Sequence, residues 1–321
     1  MKRIWILVSI LSMSIFAVGS PSAQLLNQKN ILHFVVPYPP GGGDILARTI
    51  GTPLGEVLNR TLVIENKPGA DGALATEYVK RSQPNGNTLL FATLSQLAAV
   101  PAMRKNPPYD PIADFTPISQ IGVAGFFLYV NASVPANSIG ELVTYAKANP
   151  NKLKAGVSNS SSLFAITQLI RSSGIEVVQA SYAGDGNAIP ALASGEIDML
   201  FATISSARSL VEAGKLKMLA TTLPRRSSSF PKVPTLEEEG VRGIEAAPWM
   251  GIVGPANLPR AITLEYADAI AKVLAMPSVK ERLTSFAIEV ESSTPEKLAS
   301  IIKDSYHVTQ KIVSEAKIPQ Q

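Results

Sequence analysis

The stretch VVPYPPGGGDILARTI, residues 35–50, joins an apolar run to a helical pattern through prolines and three glycines. Glycine permits positive φ and close backbone approach, and Asp44 is predicted to cap the helix that follows. Such a helix presents unpaired N–H groups at the positive end of its dipole, where a carboxylate or phosphate can bind. The alternative is a tight strand-to-helix turn that Asp44 alone satisfies.

A second loop, PGADG at residues 68–72, repeats this arrangement after the next apolar run. Two such loops side by side can hold one anion between backbone amides. Neither loop has the Lys-Ser/Thr pair of a P-loop or the spaced glycines of a dinucleotide fingerprint. The pair therefore favours a small carboxylate over a nucleotide.

Apolar β-rich runs alternate with amphipathic helical stretches from about residue 32 to about residue 314. This alternation predicts an α/β fold of parallel sheets with helices on their faces. Two proline-rich passages, residues 106–117 and 224–241, interrupt the alternation. Two α/β blocks followed by a returning tail predict two lobes that the chain crosses between twice.

The loops that follow the strands are rich in neutral polar side chains. Pockets in open α/β sheets lie beyond the carboxyl ends of the strands, so these loops are expected to meet in one cleft. That cleft would recognise a polar small molecule through hydrogen bonds and bridging waters. The candidates are Thr93, Ser95, Gln96, Ser158, Asn159, Ser160, Ser161, Tyr182, Thr203 and Ser205.

Groups that could catalyse a reaction are sparse near these loops. His33 begins a strand pattern and His307 belongs to the last helical stretch, and the chain has no cysteine. GVSNS resembles a nucleophile elbow, but Ser160 replaces the required final glycine. The carboxylates in the loops are Asp44, Asp71 and Asp185. Without a triad or a zinc constellation, the sequence predicts binding without catalysis, cofactor or metal.

The N-terminal segment has the layout of a secretory signal peptide, predicted at residues 1–23. Lys2 and Arg3 precede an apolar run at residues 4–18, and small residues follow. The run is shorter than the roughly 20 residues that a membrane-spanning helix needs, which disfavours the alternative of an anchor. Cleavage is expected after Ser20, Ser22 or Ala23.

The charge balance gives no reason to expect a nucleic-acid partner. The net charge is +4, and removing Lys2 and Arg3 leaves 27 basic and 25 acidic side chains. A nucleic-acid-binding protein is expected to carry a basic stripe, whereas the local cluster here, Arg225 and Arg226, lies in a Ser/Pro-rich loop. Without cysteine, stability must come from packing rather than disulfides.

Ordered motifs recur through nearly the whole chain after the signal segment. They are VPYPPGGGDILAR (36–48), VIENKPGADGALAT (63–76), PNGNTLLFAT (84–93), YDPIADFTPISQIG (109–122), SYAGDGNAIPALASGEIDMLF (181–201), AGKLKMLATT (213–222), FPKVPTLEEEGV (230–241) and PWMGIVGPANLP (248–259). Together they resemble the periplasmic substrate-binding receptors of tripartite tricarboxylate transporters, also called Bug-type receptors.

The resemblance implies a two-lobed periplasmic-binding-protein architecture, or flytrap, with lobe one at residues 24–124 plus 246–321 and lobe two at residues 125–245. It implies a periplasmic monomer that captures a small carboxylate and presents it to large and small membrane transporter subunits. The carboxylate would be held in lobe one near Tyr38, Pro40, Gly41, Gly42, Gly43, Gly69, Ala70, Gly72 and Ala73. Lobe two would close on the far end of the ligand with Ser158, Asn159, Ser160, Tyr182, Gly184 and Asp185.

The chain departs from the family pattern at two places. The family usually has two residues between its second glycine and the aspartate, whereas only Gly43 separates Gly42 from Asp44 here. The family's lobe-two helix commonly opens Ser-His-Leu, whereas this chain has Ser162 followed directly by Leu163. One amide contact and the contacts at the far end of the ligand are therefore expected to differ.

The sequence leaves the ligand and the partner open. Loops 157–162 and 181–187 contain no Arg or Lys, so a second carboxylate would be bound by amides, hydroxyls and water. Asp185 either meets a ligand ammonium or caps the following helix. The alternatives to transport are a ligand sensor that docks on a membrane sensor kinase, and a periplasmic hydrolase or isomerase.

Overall fold

The structure is a computed structural model that describes residues 31–242 and 248–315, together with residues 318 and 320. For positions 42, 205 and 206 it describes the backbone alone. The predicted signal peptide lies outside the described residues, as do residues 243–247 in the second passage between the lobes. Across the described ranges, no helix combines the length and the apolar character needed to cross a bilayer.

The strands of the described residues form two separate sheets. In chain order they are β1 (Ile31–Val36), β2 (Thr61–Asn66), β3 (Thr88–Thr93), β4 (Phe115–Ala124), β5 (Phe126–Asn131), β6 (Lys154–Val157), β7 (Val178–Ser181), β8 (Met199–Thr203), β9 (Leu216–Thr221), β10 (Trp249–Pro255) and β11 (Ile288–Val290). Sheet one has the spatial order β11-β4-β10-β3-β1-β2, and sheet two has the order β7-β6-β8-β5-β9.

Helices cover both faces of each sheet. In chain order they are α1 (Gly42–Val57), α2 (Ala73–Lys80), α3 (Val100–Ala102), α4 (Ile139–Ala148), α5 (Ser160–Ser173), α6 (Asp185–Ser194), α7 (Ile204–Glu212), α8 (Arg260–Ala275), α9 (Pro277–Ser285) and α10 (Pro295–Glu315). A 3₁₀ turn at Ala70–Gly72 leads into α2, and a π-helical turn at Ser95–Ala99 leads into α3.

Sheet one is buried on both faces by apolar side chains that alternate along its strands. Phe34 packs against one helical layer with Ile50 of α1, whereas the next residue, Val35, packs on the other face with Leu298 of α10. Burying each such side chain contributes about 1.5–3 kcal/mol. This double coverage is why the strands read as continuous apolar runs in the sequence.

Sheet two is built in the same way. Leu128 of β5 faces Leu142 of α4 and Leu169 of α5, whereas Tyr129 faces the opposite layer with Leu192 of α6. The strands of sheet one fall within residues 31–124 and 248–290, and those of sheet two fall within residues 126–221. The exact limits of the lobes remain a prediction.

The expectation of purely parallel sheets is wrong, because both sheets are mixed. Strands β1, β2 and β3 are parallel, but β10 runs antiparallel to β3 and β4. In sheet two, β6 is parallel to β7 and β8, but β5 runs antiparallel to β8 and β9. Strands β5 and β10 are the first strands after each crossing between lobes, so each begins at the edge where its sheet neighbours β8 and β9, or β3 and β4, end.

The alternation of strand and helix patterns did not indicate β4 or β11. Strand β4 begins within the proline-rich passage and contains Pro117, which cannot donate a ladder hydrogen bond. A register shift between Ile252 and Val253 of β10 accommodates this proline opposite Val253. Strand β11 is short and pairs only with β4 among the described strands.

Candidate functional site

A cavity of about 410 Å³ lies between the two lobes, where several strands of both sheets end. This volume is in the range of small-molecule sites. The residues that line it are Pro37, Tyr38, Pro39, Gly43, Leu46, Pro68, Gly69, Asp71, Gly72, Phe91, Thr93, Ser95, Gln96, Ala124, Phe126, Asn159, Ser160, Ser161, Asp185, Thr203, Pro248, Met250, Phe286 and Ile288.

The first glycine loop is shaped by the close approach of Gly43 to the ring of Tyr38. A Cβ at Gly43 would lie 2.6 Å from Cδ2 of Tyr38, so no larger residue fits without moving the ring. The Thr93 hydroxyl donates to Oε1 of Gln96 at 2.7 Å, so the Tyr38 phenol, 3.2 Å from Thr93 Oγ1, is its donor. Burial raises the pKa of Tyr38, which keeps this phenol protonated.

Asp44 stabilises the start of α1, but not as the predicted N-cap. Gly41, at φ 106°, is the N-cap residue. Asp44 lies in the first turn of the helix, and its Oδ2 accepts from the N–H of Gly41 at 3.4 Å. Oδ2 also accepts from Arg48 Nε at 2.8 Å, and Oδ1 accepts from Asn66 Nδ2 at 2.8 Å. Burial alone would raise the pKa of Asp44, but these hydrogen bonds hold it below its usual value.

The second glycine loop is fixed by one buried amide. Gln96 Nε2 donates to the carbonyl of Asp71 at 3.0 Å, and its Oε1 accepts from the N–H of Thr93 at 3.1 Å. Gly72, at φ 86°, packs closely against Gln96. A Cβ at Gly72 would be 2.6 Å from Nε2 of Gln96 and 2.7 Å from Cβ of Pro37. Gln96 therefore joins the loops after β2 and β3 into one surface.

Backbone strain is concentrated in the same loop. Ala70 and Asp71 have φ values of 49° and 57°, in the left-handed region that non-glycine residues rarely adopt. Consecutive residues of this kind each cost of order 1–3 kcal/mol and persist where surrounding contacts determine them. Such strain is typical of ligand-binding loops.

In lobe two, a serine and asparagine network shapes the start of α5. Asn159 is its N-cap, and Oδ1 accepts from the N–H of Ser162 at 2.9 Å. The Ser162 hydroxyl accepts from the N–H of Ser158 at 2.8 Å. The Ser158 hydroxyl in turn donates to Oδ1 of Asp185, the first residue of α6, at 2.6 Å. Asp185 is therefore not the N-cap of α6, a position that Gly184 occupies.

Helix N-termini converge on this cavity from both lobes. The lining includes residues at the starts of α1, α2, α5, α6 and α7, namely Gly43, Gly72, Ser160, Asp185 and Thr203. The first N–H groups of a helix have no intrahelical partner and carry the positive end of the dipole. Among the described lining residues there is no Lys, Arg or His. An anion in the cavity would therefore be bound by backbone and hydroxyl donors.

The lobes also touch directly across the cleft. The Ser160 hydroxyl lies 3.4 Å from Oδ2 of Asp71. Farther from the cavity, Phe164 of α5 is buried against Ala99, Ala102 and Val313 of lobe one. These contacts join the two lobes.

The structure places the predicted site residues in two groups. Those lining the cavity are Tyr38, Gly43, Gly69, Gly72, Thr93, Ser95, Asn159, Ser160 and Asp185. Those in the same loops but outside the lining are Pro40, Gly41, Gly42, Ala70, Ala73, Ser158, Tyr182 and Gly184. The phenol of Tyr182 donates to Oε1 of Glu196 at 2.9 Å. The candidate donors Gln96, Ser161 and Thr203 also line the cavity, whereas the side chain of Ser205 lies outside the described features.

Sequence reasoning missed the apolar part of the cavity. It is lined by Leu46, Phe91, Phe126, Met250, Phe286 and Ile288. These residues lie in strands, in α1 or next to the chain crossings, where periodicity assigns apolar side chains to the core. No signal in one sequence separates a phenylalanine that faces a cavity from one that faces the core.

The histidines lie away from the cavity lining, as predicted. His33 Nδ1 is 2.6 Å from Oε1 of Glu65 on the neighbouring strand, and exposed His307 is 3.4 Å from Oε1 of Gln310. Within the described ranges, no cluster of three or more His, Cys, Asp or Glu side chains could hold a metal ion.

Comparison with known proteins identifies the family. Residues 46–318 match the family described as "Tripartite tricarboxylate transporter family receptor". The chain belongs to this receptor family. A relative from Cupriavidus necator, described as "UPF0065 protein in gbd 5'region", is 31% identical over 261 residues, which cover 80% of this chain and 79% of the relative.

Solved structures similar to this receptor share its two-lobed fold. An R. palustris protein solved with adipate has a TM-score of 0.80 at 28% identity, covering 89% of this chain and 97% of that one. The periplasmic binding protein BugD has a TM-score of 0.78 at 27% identity, covering 90% and 98%. MatC from Rhodopseudomonas palustris, with bound malate, has a TM-score of 0.75 at 26% identity, covering 88% and 98%. The resemblance to Bug-type receptors and the flytrap architecture are therefore confirmed, and the family and fold are those of solute-binding receptors.

Proposed function

We propose that this protein is a periplasmic receptor that captures a small carboxylate between its lobes and delivers it to a tripartite tricarboxylate-type membrane transporter. The observation that carries the proposal is the convergence of five helix N-termini on one cavity between the lobes. A carboxylate offers four acceptor sites to such donors and is favoured by the helix dipoles. Adipate and malate, the ligands of two similar structures, are both carboxylates.

The lobe-one loops would bind the carboxylate first. Their shape is set before the ligand arrives, because Tyr38, Thr93 and Gln96 fix the loop backbones from beneath. A preorganised site loses little entropy on binding. The N–H groups near Gly43 and Gly69 would then face the carboxylate directly or through ordered waters.

Closure of lobe two would complete the site. In this arrangement the serine and asparagine side chains at the start of α5 line the cavity, and Phe164 of the same helix is packed against lobe one. A ligand can shift the equilibrium toward the closed form only by binding that form more tightly. Contacts from both lobes to one ligand provide this difference, and the membrane transporter would read the closed form.

A thermal-shift comparison of acids with their amides tests carboxylate binding. Mature protein without residues 1–23 is melted with hexanoate, benzoate, adipate or malate, and with hexanamide or benzamide as neutral controls. An acid at about 100 times its Kd adds about 2.7 kcal/mol of stability. We expect at least one acid to raise the melting temperature and neither amide to do so. Equal shifts with acids and amides, or no shift with any acid, would contradict the proposal.

Delivery needs a separate test. Cells that carry the receptor with the large and small membrane subunits are expected to accumulate the labelled acid, and cells that lack the membrane subunits are not. Uptake that is unchanged without those subunits would contradict delivery to them, and no uptake even in their presence would favour a sensing role. Light scattering on the purified protein checks the proposed monomeric state.

A further inference from the structure

The lobe-two side of the cavity already faces a carboxylate that belongs to lobe one. Asp71 lines the cavity, and its Oδ2 lies 3.4 Å from the hydroxyl of Ser160, the first residue of α5. A carboxylate near the N-terminus of a helix occupies the position where a bound anion is stabilised. The start of α5 therefore faces an anion supplied by the protein itself.

The neighbouring helix start has the same character. Asp185 is the first residue of α6 and also lines the cavity, with Oδ1 accepting from the Ser158 hydroxyl at 2.6 Å and from Asn159 Nδ2 at 3.5 Å. Two acidic side chains thus face the cavity, and its described lining contains no basic one. A second ligand carboxylate there would lose hydration and meet like charges.

The remaining surface of the cavity suits an uncharged ligand body. Phe91 and Met250 of sheet one, with Phe126, Phe286 and Ile288 near the chain crossings, present apolar side chains. Apolar and aromatic surfaces of this kind gain free energy by covering hydrocarbon. They offer nothing to a charged group.

We propose, building on the carboxylate-binding function proposed above, that the receptor selects monocarboxylates with an apolar body and that Asp71 excludes ligands with a second carboxylate. Asp71 acts as the repulsive element that specificity between similar ligands often requires. Its carboxylate stands where the far carboxylate of a dicarboxylate would otherwise approach the start of α5. This places the chain apart from the similar receptors solved with adipate and malate.

Two matched ligand pairs test the proposal by isothermal titration at pH 7. Hexanoate and adipate share a six-carbon chain, and benzoate and terephthalate share a ring, so each pair differs by one carboxylate. We expect the monocarboxylate of at least one pair to bind the unmodified protein at least about tenfold more tightly than its dicarboxylate, which corresponds to about 1.4 kcal/mol.

Substitution of Asp71 then identifies the residue responsible. Asp71→Asn removes the charge and keeps a side chain that tolerates left-handed backbone, and Asp71→Gly keeps only the backbone. Both are expected to strengthen dicarboxylate binding about tenfold more than monocarboxylate binding, because a dicarboxylate brings a second negative charge toward Asp71. Asp304→Asn, on an exposed face of α10, makes the same charge change far from the lining and should alter neither affinity.

The outcomes separate this inference from the proposed function. Dicarboxylates binding as tightly as monocarboxylates in the unmodified protein would overturn the inference and leave the carboxylate receptor intact. An unchanged affinity ratio in both Asp71 variants, folded by circular dichroism, would show that Asp71 is not the determinant. No binding of any of the four acids would overturn the proposed function and this inference with it.

Discussion

In lobe one the cavity surface is glycine backbone held by buried polar side chains, whereas in lobe two it is serine, asparagine and aspartate side chains at helix starts. The lobe-one loops are held by hydrogen bonds of Gln96, Thr93 and Asp44, and the partners in these bonds also belong to lobe one. The Ser160 hydroxyl of lobe two, by contrast, contacts lobe one only across the cleft. Under the proposed function, lobe one is the surface that binds the carboxylate first and lobe two is the part that closes on it.

The largest effect is expected where the lobe-one backbone cannot accept a side chain. In Gly72→Ala the backbone would hold an alanine at an unfavourable φ of 86°. Its new Cβ would lie 2.6 Å from Nε2 of Gln96. Strain and overpacking together should lower the free energy of unfolding by about 2–4 kcal/mol. Urea denaturation measures the change.

Gly140→Ala is the matched control for that substitution. Gly140 lies in α4, and a Cβ there has its nearest neighbour at 3.8 Å. Alanine is favoured over glycine inside a helix by about 0.5–1 kcal/mol, so this variant should be as stable as the unmodified protein or more so. If Gly72→Ala and Gly140→Ala lowered the free energy of unfolding equally, the position of Gly72 would be no more restrictive than that of an ordinary helical glycine.

The next effect concerns closure. Phe164→Ala removes an apolar contact between the lobes, worth about 2 kcal/mol if the closed form loses the burial of this ring. We expect the affinity for the best carboxylate of the thermal-shift screen to fall about thirtyfold, measured by titration. Leu264→Ala, on an exposed position of α8, should leave the affinity unchanged. Unaltered binding by Phe164→Ala would show that packing between lobes does not stabilise the closed form.

A pH-dependent effect of about 1 kcal/mol is expected from Asp44→Asn. The pKa of Asp44 is lowered in the folded protein from its ordinary 3.8, so its ionised form stabilises the fold above that pH. This contribution is lost as the pH falls through the folded-state pKa. Unfolding free energies of the variant and the unmodified protein should therefore differ at pH 7 and converge in strong acid. A difference that does not shrink as the pH falls below 3.8 would contradict this explanation.

The smallest effect should come from the ionic contact between the lobes. Arg171 Nη2 lies 3.0 Å from Oε2 of Glu315, and both side chains are substantially exposed. Exposed pairs contribute about 0–1 kcal/mol and are screened by salt. Arg171→Ala should change ligand affinity less than about threefold, and added salt should have little effect on the unmodified protein. If Arg171→Ala weakened ligand binding as much as Phe164→Ala does, charge rather than apolar packing would drive closure.

Part of the fold and of the candidate site could be predicted from the sequence alone. The two glycine loops have local signatures in the sequence. Gly41, Gly69 and Gly72 have positive φ, and Gly43 lies too close to the Tyr38 ring for a Cβ. The alternation of apolar runs and helical stretches predicted the α/β layers and the two crossings. These features depend on neighbours in the chain, which a sequence shows directly.

Other features depend on contacts between distant segments. The reversed direction of β5 and β10 follows from where the chain crosses between lobes, which periodicity does not encode. The apolar side of the cavity joins Phe91, Phe126 and Phe286, which have no local mark that separates them from core residues. The contact of Asp71 with Ser160 joins positions 89 residues apart and depends on how the two lobes pack.

The most direct test of the account is a crystal structure of the mature protein with the carboxylate that gives the largest thermal shift. The carboxylate oxygens are expected within about 3.2 Å of backbone N–H groups in loops 41–43 and 69–73, or joined to them by single waters, with the ligand body against Phe91 and Phe126. A carboxylate bound instead by side chains of lobe two, or outside the cavity between the lobes, would contradict it.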